Sequence, residues 1–214
     1  MKPIIIGIGG SHSDSGKTTV ACQFLERLPG WGAIKYTKTY LKSSIIEDLE
    51  IISEEGKDTR RFIDAGAKKV LWVQSPFSKL GKLLSMALEK LSHLEGIIIE
   101  GNSAIEVLNL DIVIFVSGSG VLKEGAERIL RKAVVVISDQ ESLLQIPEGT
   151  RQFGKNDLER YVNCIKEIVR KRYNVGRIRG HPLKGPLSRD KRSVTENLIK
   201  YFPFLSNRGQ AVVC

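Results

Sequence analysis

The 214-residue sequence predicts an α/β fold: a mostly parallel sheet with helices on both faces, followed by a basic C-terminal helical and loop extension. Three observations predict it. Short apolar runs with no polar face, such as Ile4-Ile5-Ile6 and Ile97-Ile98-Ile99, read as strands buried on both sides. Segments with apolar residues at helical spacing alternate with these runs, the rhythm of a sheet built from βαβ units. The charge also changes character along the chain, with 18 Lys+Arg against 19 Asp+Glu through Thr150 and 15 against 5 after it.

Pro3 to Gly9 is the first strand. A Gly/Ser-rich turn follows, and Lys17 to Leu28 carries Val20, Ala21, Phe24, Leu25 and Leu28 on one helical face until Pro29-Gly30 ends it. Ala33 to Thr37 is a weaker strand. Lys42 to Glu55 mixes acids with isoleucines and leucines without a clean period and is left unassigned. Thr59 to Ala65 reads as a helix stopped by Gly66, Lys69 to Gln74 as a strand, and Leu80 to Leu91 as an amphipathic helix. Gly96 to Glu100, Asp111 to Val116 and Ala133 to Ser138 are further short strands, the last preceded by a helix from Lys123 to Arg131. Asp157 to Tyr173 is helical, Arg177 to Pro186 is a basic loop punctuated by Gly and Pro, and Thr195 to Tyr201 is a short final helix.

Composition narrows the class. Hydrophobic residues at 42% and charged residues at 27% argue against wholesale disorder and membrane bundles. No apolar run approaches a bilayer span and no signal peptide is legible, so a cytoplasmic protein without a membrane partner is expected. Three scattered cysteines, Cys22, Cys164 and Cys214, suggest neither a disulfide framework nor a zinc site. The net charge of +9 lies wholly in the C-terminal part, −1 through Thr150 and +10 beyond it. That boundary divides an N-terminal α/β domain, residues 1–150, from a basic extension, residues 151–214, which is suited to an anionic partner. The extension has few aromatic residues and no nucleic-acid module, so nucleic acid is not the expected partner.

Chemistry concentrates in Gly10-Ser11-His12-Ser13-Asp14-Ser15-Gly16-Lys17-Thr18-Thr19, between the first strand and the first helix. Backbone N–H groups converging on a helix N-terminus suit phosphate oxygens. Gly16 permits close approach, Lys17 reaches the terminal phosphates and Thr18 offers its hydroxyl to magnesium. The usual GxxxxGK[ST] spacing would place its first glycine at Ser11, with Gly10 one residue earlier.

Glu100 ends the apolar strand Gly96 to Glu100, and ligands in open α/β sheets sit at the carboxyl ends of strands. It is expected to hold magnesium with Thr18, or to orient an attacking water. Lys17 and Glu100 are thus the candidate catalytic pair. Asp139, after the strand ending at Ser138, is the candidate reader of a purine base through its ring N–H and amino protons.

These motifs resemble known proteins. The loop Gly10 to Thr18 and the segment Ile97-Ile98-Ile99-Glu100-Gly101 are similar to those of dethiobiotin synthetase and cobyrinate amidotransferases, P-loop NTPases. Gly56-Lys57-Asp58-Thr59-Arg60-Arg61-Phe62-Ile63-Asp64-Ala65-Gly66-Ala67 resembles the GKDS-x-R-x-x-x-AGA pattern of the molybdopterin-guanine dinucleotide biosynthesis protein B (MobB) family. Ala33-Ile34-Lys35-Tyr36-Thr37 is similar to that family's second strand, with Tyr36 where the family has histidine. The resemblance spans about residues 3 to 140. It implies a P-loop NTPase fold and a dimeric GTP-binding adapter with weak GTPase activity. Such an adapter uses magnesium and assists molybdenum cofactor biosynthesis alongside a guanylyltransferase-type partner. It also implies that Asp58 and Arg61 lie near the nucleotide. An ATP-dependent enzyme of the dethiobiotin synthetase or kinase type is the alternative.

Overall fold

In the computed structural model, residues 2–119, 122–138 and 145–178 are described. They build an eight-stranded sheet in the order β3-β4-β2-β5-β1-β6-β7-β8. Every neighbouring pair is parallel except β3 with β4. The strands are β1 (Ile4–Gly10), β2 (Gly32–Lys38), β3 (Ser44–Ile46), β4 (Val70–Ser75), β5 (Gly96–Glu100), β6 (Ile112–Ser117), β7 (Val135–Ser138) and β8 (Arg151–Phe153). The helices are α1 (Lys17–Leu25), α2 (Leu49–Ile52), α3 (Asp58–Asp64), α4 (Phe77–Lys90), α5 (Asn102–Val107), α6 (Ala126–Leu130) and α7 (Leu158–Ile178). The expected α/β architecture is the one observed.

Alternation along the central strands explains the layers, because successive side chains leave a strand on opposite faces. Ile4, Ile6 and Ile8 of β1 pack with Val20, Ala21 and Phe24 of α1, Phe62 of α3, and Tyr161, Val162 and Ile165 of α7. Ile5 of the same strand packs on the other face with Leu80, Leu84 and Leu88 of α4. Ile105, Phe115 and Ile129 form a smaller cluster under α5 and α6. Tyr161 is fully buried, its ring 5.8 Å from that of Phe24, and burial pushes its hydroxyl up to about 12. The charge boundary near Thr150 therefore falls between two neighbouring strands of one sheet, with β8 and α7 contributing to the same core.

Several boundaries differ from the sequence expectations. The unassigned stretch Lys42 to Glu55 holds β3 and the single-turn α2, whose start is capped by the Asp48 carboxylate accepting from the Glu50 N–H at 2.9 Å. Leu49 and Ile51 there are exposed, which is why their apolar character carries no period. Helix α7 continues through Asn174-Val175-Gly176 to Ile178 rather than stopping at Tyr173. A glycine costs a helix about 1 kcal/mol, and the first proline that would break it is Pro182. Two short elements, α5 and β8, have no counterpart in the expectations. Most of the basic stretch Arg177 to Pro186, the final helix Thr195 to Tyr201, and Cys214 lie outside the described residues; Cys22 and Cys164 are free thiols. No described helix is long and apolar enough to cross a membrane.

Candidate functional site

Strand β1 lies at the centre of the sheet, between β5 and β6. Its carboxyl end, where the chain leaves into the loop before α1, is the crevice in which open α/β sheets bind ligands. Three features hold this loop in shape. Asn102, the first residue of α5, pairs its side-chain amide with the main chain of Gly10: Oδ1 accepts the Gly10 N–H and Nδ2 donates to the Gly10 carbonyl, both at 2.9 Å. The Ser11 hydroxyl accepts the Gly118 N–H at 3.0 Å, and the Ser11 carbonyl accepts the Lys123 N–H at 2.8 Å. A serine in place of the motif's first glycine thus ties the loop to the segment after β6. Gly16, at φ 98°, is in the left-handed conformation as it caps α1, a conformation that costs glycine nothing.

A β-carbon on Gly10 would lie 2.4 Å from the Ser15 Oγ and 2.7 Å from the Val116 carbonyl oxygen. The glycine shifted by one position is therefore a steric requirement of this loop. Asp14 takes a left-handed φ of 50°, which aspartate tolerates better than most side chains.

A cavity of about 410 Å³ opens over the loop, lined by Ser13, Asp14, Gly16, Lys17, Thr18 and Thr19 on one side and by Lys35, Asp58, Arg61 and Glu100 on the other. That volume lies within the range of small-ligand sites. Gly10, Ser11 and Ser15 shape the loop from behind and do not line the cavity. Asp139 lies outside the described residues.

The Lys17 ammonium donates to the His12 carbonyl at 2.6 Å and to the Ser15 hydroxyl at 3.2 Å. Burial lowers its pKa, with the nearby Lys35 and Lys123 charges acting in the same direction. A desolvated ammonium whose hydrogen bonds, among the described residues, go to neutral oxygens gains from an anion beside it.

Opposite the loop, the Thr18 hydroxyl donates to Glu100 Oε2 at 2.9 Å. Glu100, 2% exposed, meets Lys35 Nζ at 2.6 Å, and the same ammonium meets Asp58 Oδ2 at 2.5 Å. Burial opposes the charge of Lys35, but the two carboxylates outweigh it and hold its pKa above the ordinary lysine value. Burial likewise opposes ionisation of Asp58, and hydrogen bonds from Lys35 and Thr18 lower its pKa in spite of it. Arg61 donates to the Thr19 hydroxyl at 3.0 Å and lies 3.9 Å from Asp58. The Gly56–Ala67 segment is thereby brought against the phosphate-type loop.

Thr18, Asp58 and Glu100 are all hard oxygen donors. Among the described residues no cluster of three His, Cys, Asp or Glu side chains could hold a metal. Two carboxylates and a hydroxyl fit a cation that keeps most of its coordination for water and phosphate, as magnesium does.

Tyr36, where the MobB resemblance leads to histidine, faces away from the cavity. It is buried, and its hydroxyl donates to the Ser75 carbonyl at 2.9 Å. Sequence reasoning missed Lys35, Asn102 and Lys123 as site residues. A lysine inside an otherwise apolar strand is the one local signal available, since a buried ammonium needs carboxylate partners. Lys155, after β8, also reaches the loop: its Cε lies 3.7 Å from where a β-carbon on Gly16 would be.

No protein-family model and no curated protein sequence matches the chain. Among solved structures, HypB from Helicobacter pylori superposes with a TM-score of 0.51 at 12% identity, over 80% of this chain and 89% of that one. That likeness is one of fold, a mostly parallel α/β sheet with helices on both faces. The MobB homologue from Bacillus stearothermophilus matches with a TM-score of 0.43 at 17% identity, over 78% of this chain and 98% of that one. Bacillus subtilis MobB gives 0.41 and 17%, over 78% and 97%.

Proposed function

We propose that this P-loop protein binds a magnesium nucleoside triphosphate, preferentially GTP, and acts as a weakly hydrolysing adapter in molybdenum cofactor biosynthesis. The observation that carries the binding part is the convergence of Lys17, Thr18, Asp58 and Glu100 on one cavity at the N-terminus of α1. The helix N-terminus and loop N–H groups suit the phosphates, and Lys17 suits their terminal end. Thr18, Glu100 and Asp58 would hold magnesium, which supplies charge neutralisation between the phosphates. Lys35 pairs with both carboxylates and holds them together.

The adapter part is supported by the Gly56–Ala67 segment, which carries the resemblance to MobB and contributes Asp58 and Arg61 to the cavity. The reading includes a homodimer and a guanylyltransferase-type partner. Hydrolysis is expected to be slow without that partner, as in switch proteins that lack a trans-acting group.

Isothermal calorimetry with magnesium-GTP and magnesium-ATP on the purified chain tests the reading. Tighter GTP binding, with slow phosphate release that a molybdenum cofactor guanylyltransferase alters, is the expected result. ATP preference coupled to turnover of a small substrate would instead indicate an enzyme of the dethiobiotin synthetase or kinase type. Binding of neither nucleotide would overturn both readings.

A further inference from the structure

Lys123 precedes α6, yet it is fastened to the loop between β1 and α1. Its main-chain N–H donates to the Ser11 carbonyl at 2.8 Å, and its carbonyl accepts the Ala126 N–H at 2.9 Å, joining the loop to α6. Its ammonium donates to the Ser13 hydroxyl at 2.6 Å. Among the described residues, no carboxylate lies within ion-pair distance of it. A lysine ammonium has three donors, and a single neutral hydroxyl leaves it both charge and hydrogen bonds to offer.

Its position says to what. The Lys17 ammonium rests on the carbonyl of His12, between the Ser11 and Ser13 contacts of Lys123. In a phosphate loop the main-chain N–H groups cradle the inner phosphates and the lysine reaches the outer ones. The two ammonium groups bond adjacent residues of the loop, Lys17 to His12 and Lys123 to Ser13, and Ser13 lines the cavity beside Lys17. Their mutual repulsion, one of the causes of the lowered Lys17 pKa, is relieved by an anion between them.

We propose that Lys123 is a second phosphate-contacting cation, which engages the terminal phosphate of a bound nucleoside triphosphate and so distinguishes triphosphate from diphosphate. This rests on the triphosphate-site reading above. It assigns Lys123, ahead of α6, a part in sensing the nucleotide state.

The test compares calorimetric affinities of the full chain for two magnesium-loaded probes, guanosine 5′-(β,γ-imido)triphosphate and GDP, with the adenine pair run in parallel. Lys123→Ala should weaken the triphosphate analogue about tenfold, the expected loss for one charge-assisted hydrogen bond. It should leave the diphosphate within about twofold, and Lys123→Arg should recover most of the loss. Retained diphosphate binding also certifies that the variant is folded. Equal weakening of both nucleotides, or no weakening of either, would overturn the role of Lys123 while leaving the nucleotide site in place. A wild-type chain that binds no nucleotide would overturn both.

Discussion

Asn102 pairs with Gly10 across 92 positions of sequence, its amide donating to the Gly10 carbonyl and accepting the Gly10 N–H at the same 2.9 Å. This pair of hydrogen bonds fastens the end of β1 to the start of α5. It fixes the point at which the phosphate-type loop begins and orients it toward the carboxyl end of β5.

Asn102→Ala should therefore cost about 2 kcal/mol of stability, because it strands two buried main-chain groups. Asn102→Asp is the sharper probe. The carboxylate still accepts from the Gly10 N–H but faces the Gly10 carbonyl with a second acceptor. Urea denaturation should find it at least as destabilised as the alanine variant at neutral pH and partly restored in acid, where the protonated carboxyl can donate. A wild-type midpoint for Asn102→Asp would remove the pairing from the account.

Lys35 holds Glu100 and Asp58 together, at 2.6 and 2.5 Å. Lys35→Met should destabilise the chain by about 3 kcal/mol, since it leaves the buried Glu100 carboxylate without its counter-charge. Combining it with Glu100→Gln should recover part of that loss, a coupling that a double-mutant cycle reads directly. Strictly additive losses would show that the pair is not coupled.

Glu100→Gln alone should lower hydrolysis more than binding, because the loop N–H groups and Lys17 still hold the phosphates. Steady-state phosphate release is expected to fall roughly tenfold or more while the calorimetric Kd changes by less than about threefold. Turnover at the wild-type level would make Glu100 structural.

Away from the site, Glu47 sits between Lys69 at 2.7 Å and Lys90 at 2.6 Å. Their hydrogen bonds and charges hold its carboxyl down at about 2, from an ordinary value of 4.5. A depressed carboxylate pKa stabilises the fold above the unfolded value and ceases to do so as pH falls through the folded one. The stability gap between wild type and Glu47→Gln should thus be present at neutral pH and close between pH 4.5 and about 2. It should be small, since all three side chains are more than a third exposed. A gap that persists unchanged in acid would contradict the assignment.

What could be read in the sequence follows from distance along the chain. β1, the Gly10–Thr19 loop, α1 and β5 were legible because each announces itself locally, through an unbroken apolar run or a fixed spacing. β3, α2, α5 and β8 span only three to six residues, too few for a period to emerge. The same division runs through the site. Lys17, Thr18 and Glu100 belong to local motifs, whereas the contacts of Lys35 with Glu100, Asn102 with Gly10 and Lys123 with Ser13 join residues 65, 92 and 110 positions apart. No pattern within one segment encodes them; the sheet order β2-β5-β1-β6 brings them together.

The most direct test of the account is the affinity of Lys17→Ala for a magnesium nucleoside triphosphate, measured by calorimetry beside the wild type. Among the described residues the Lys17 ammonium bonds only to oxygens of its own loop, so its removal should leave the thermal midpoint nearly unchanged. The account predicts wild-type binding that the variant loses by about a hundredfold or more, at the upper range for a desolvated charge-assisted contact. Undiminished affinity in a folded Lys17→Ala protein would contradict it.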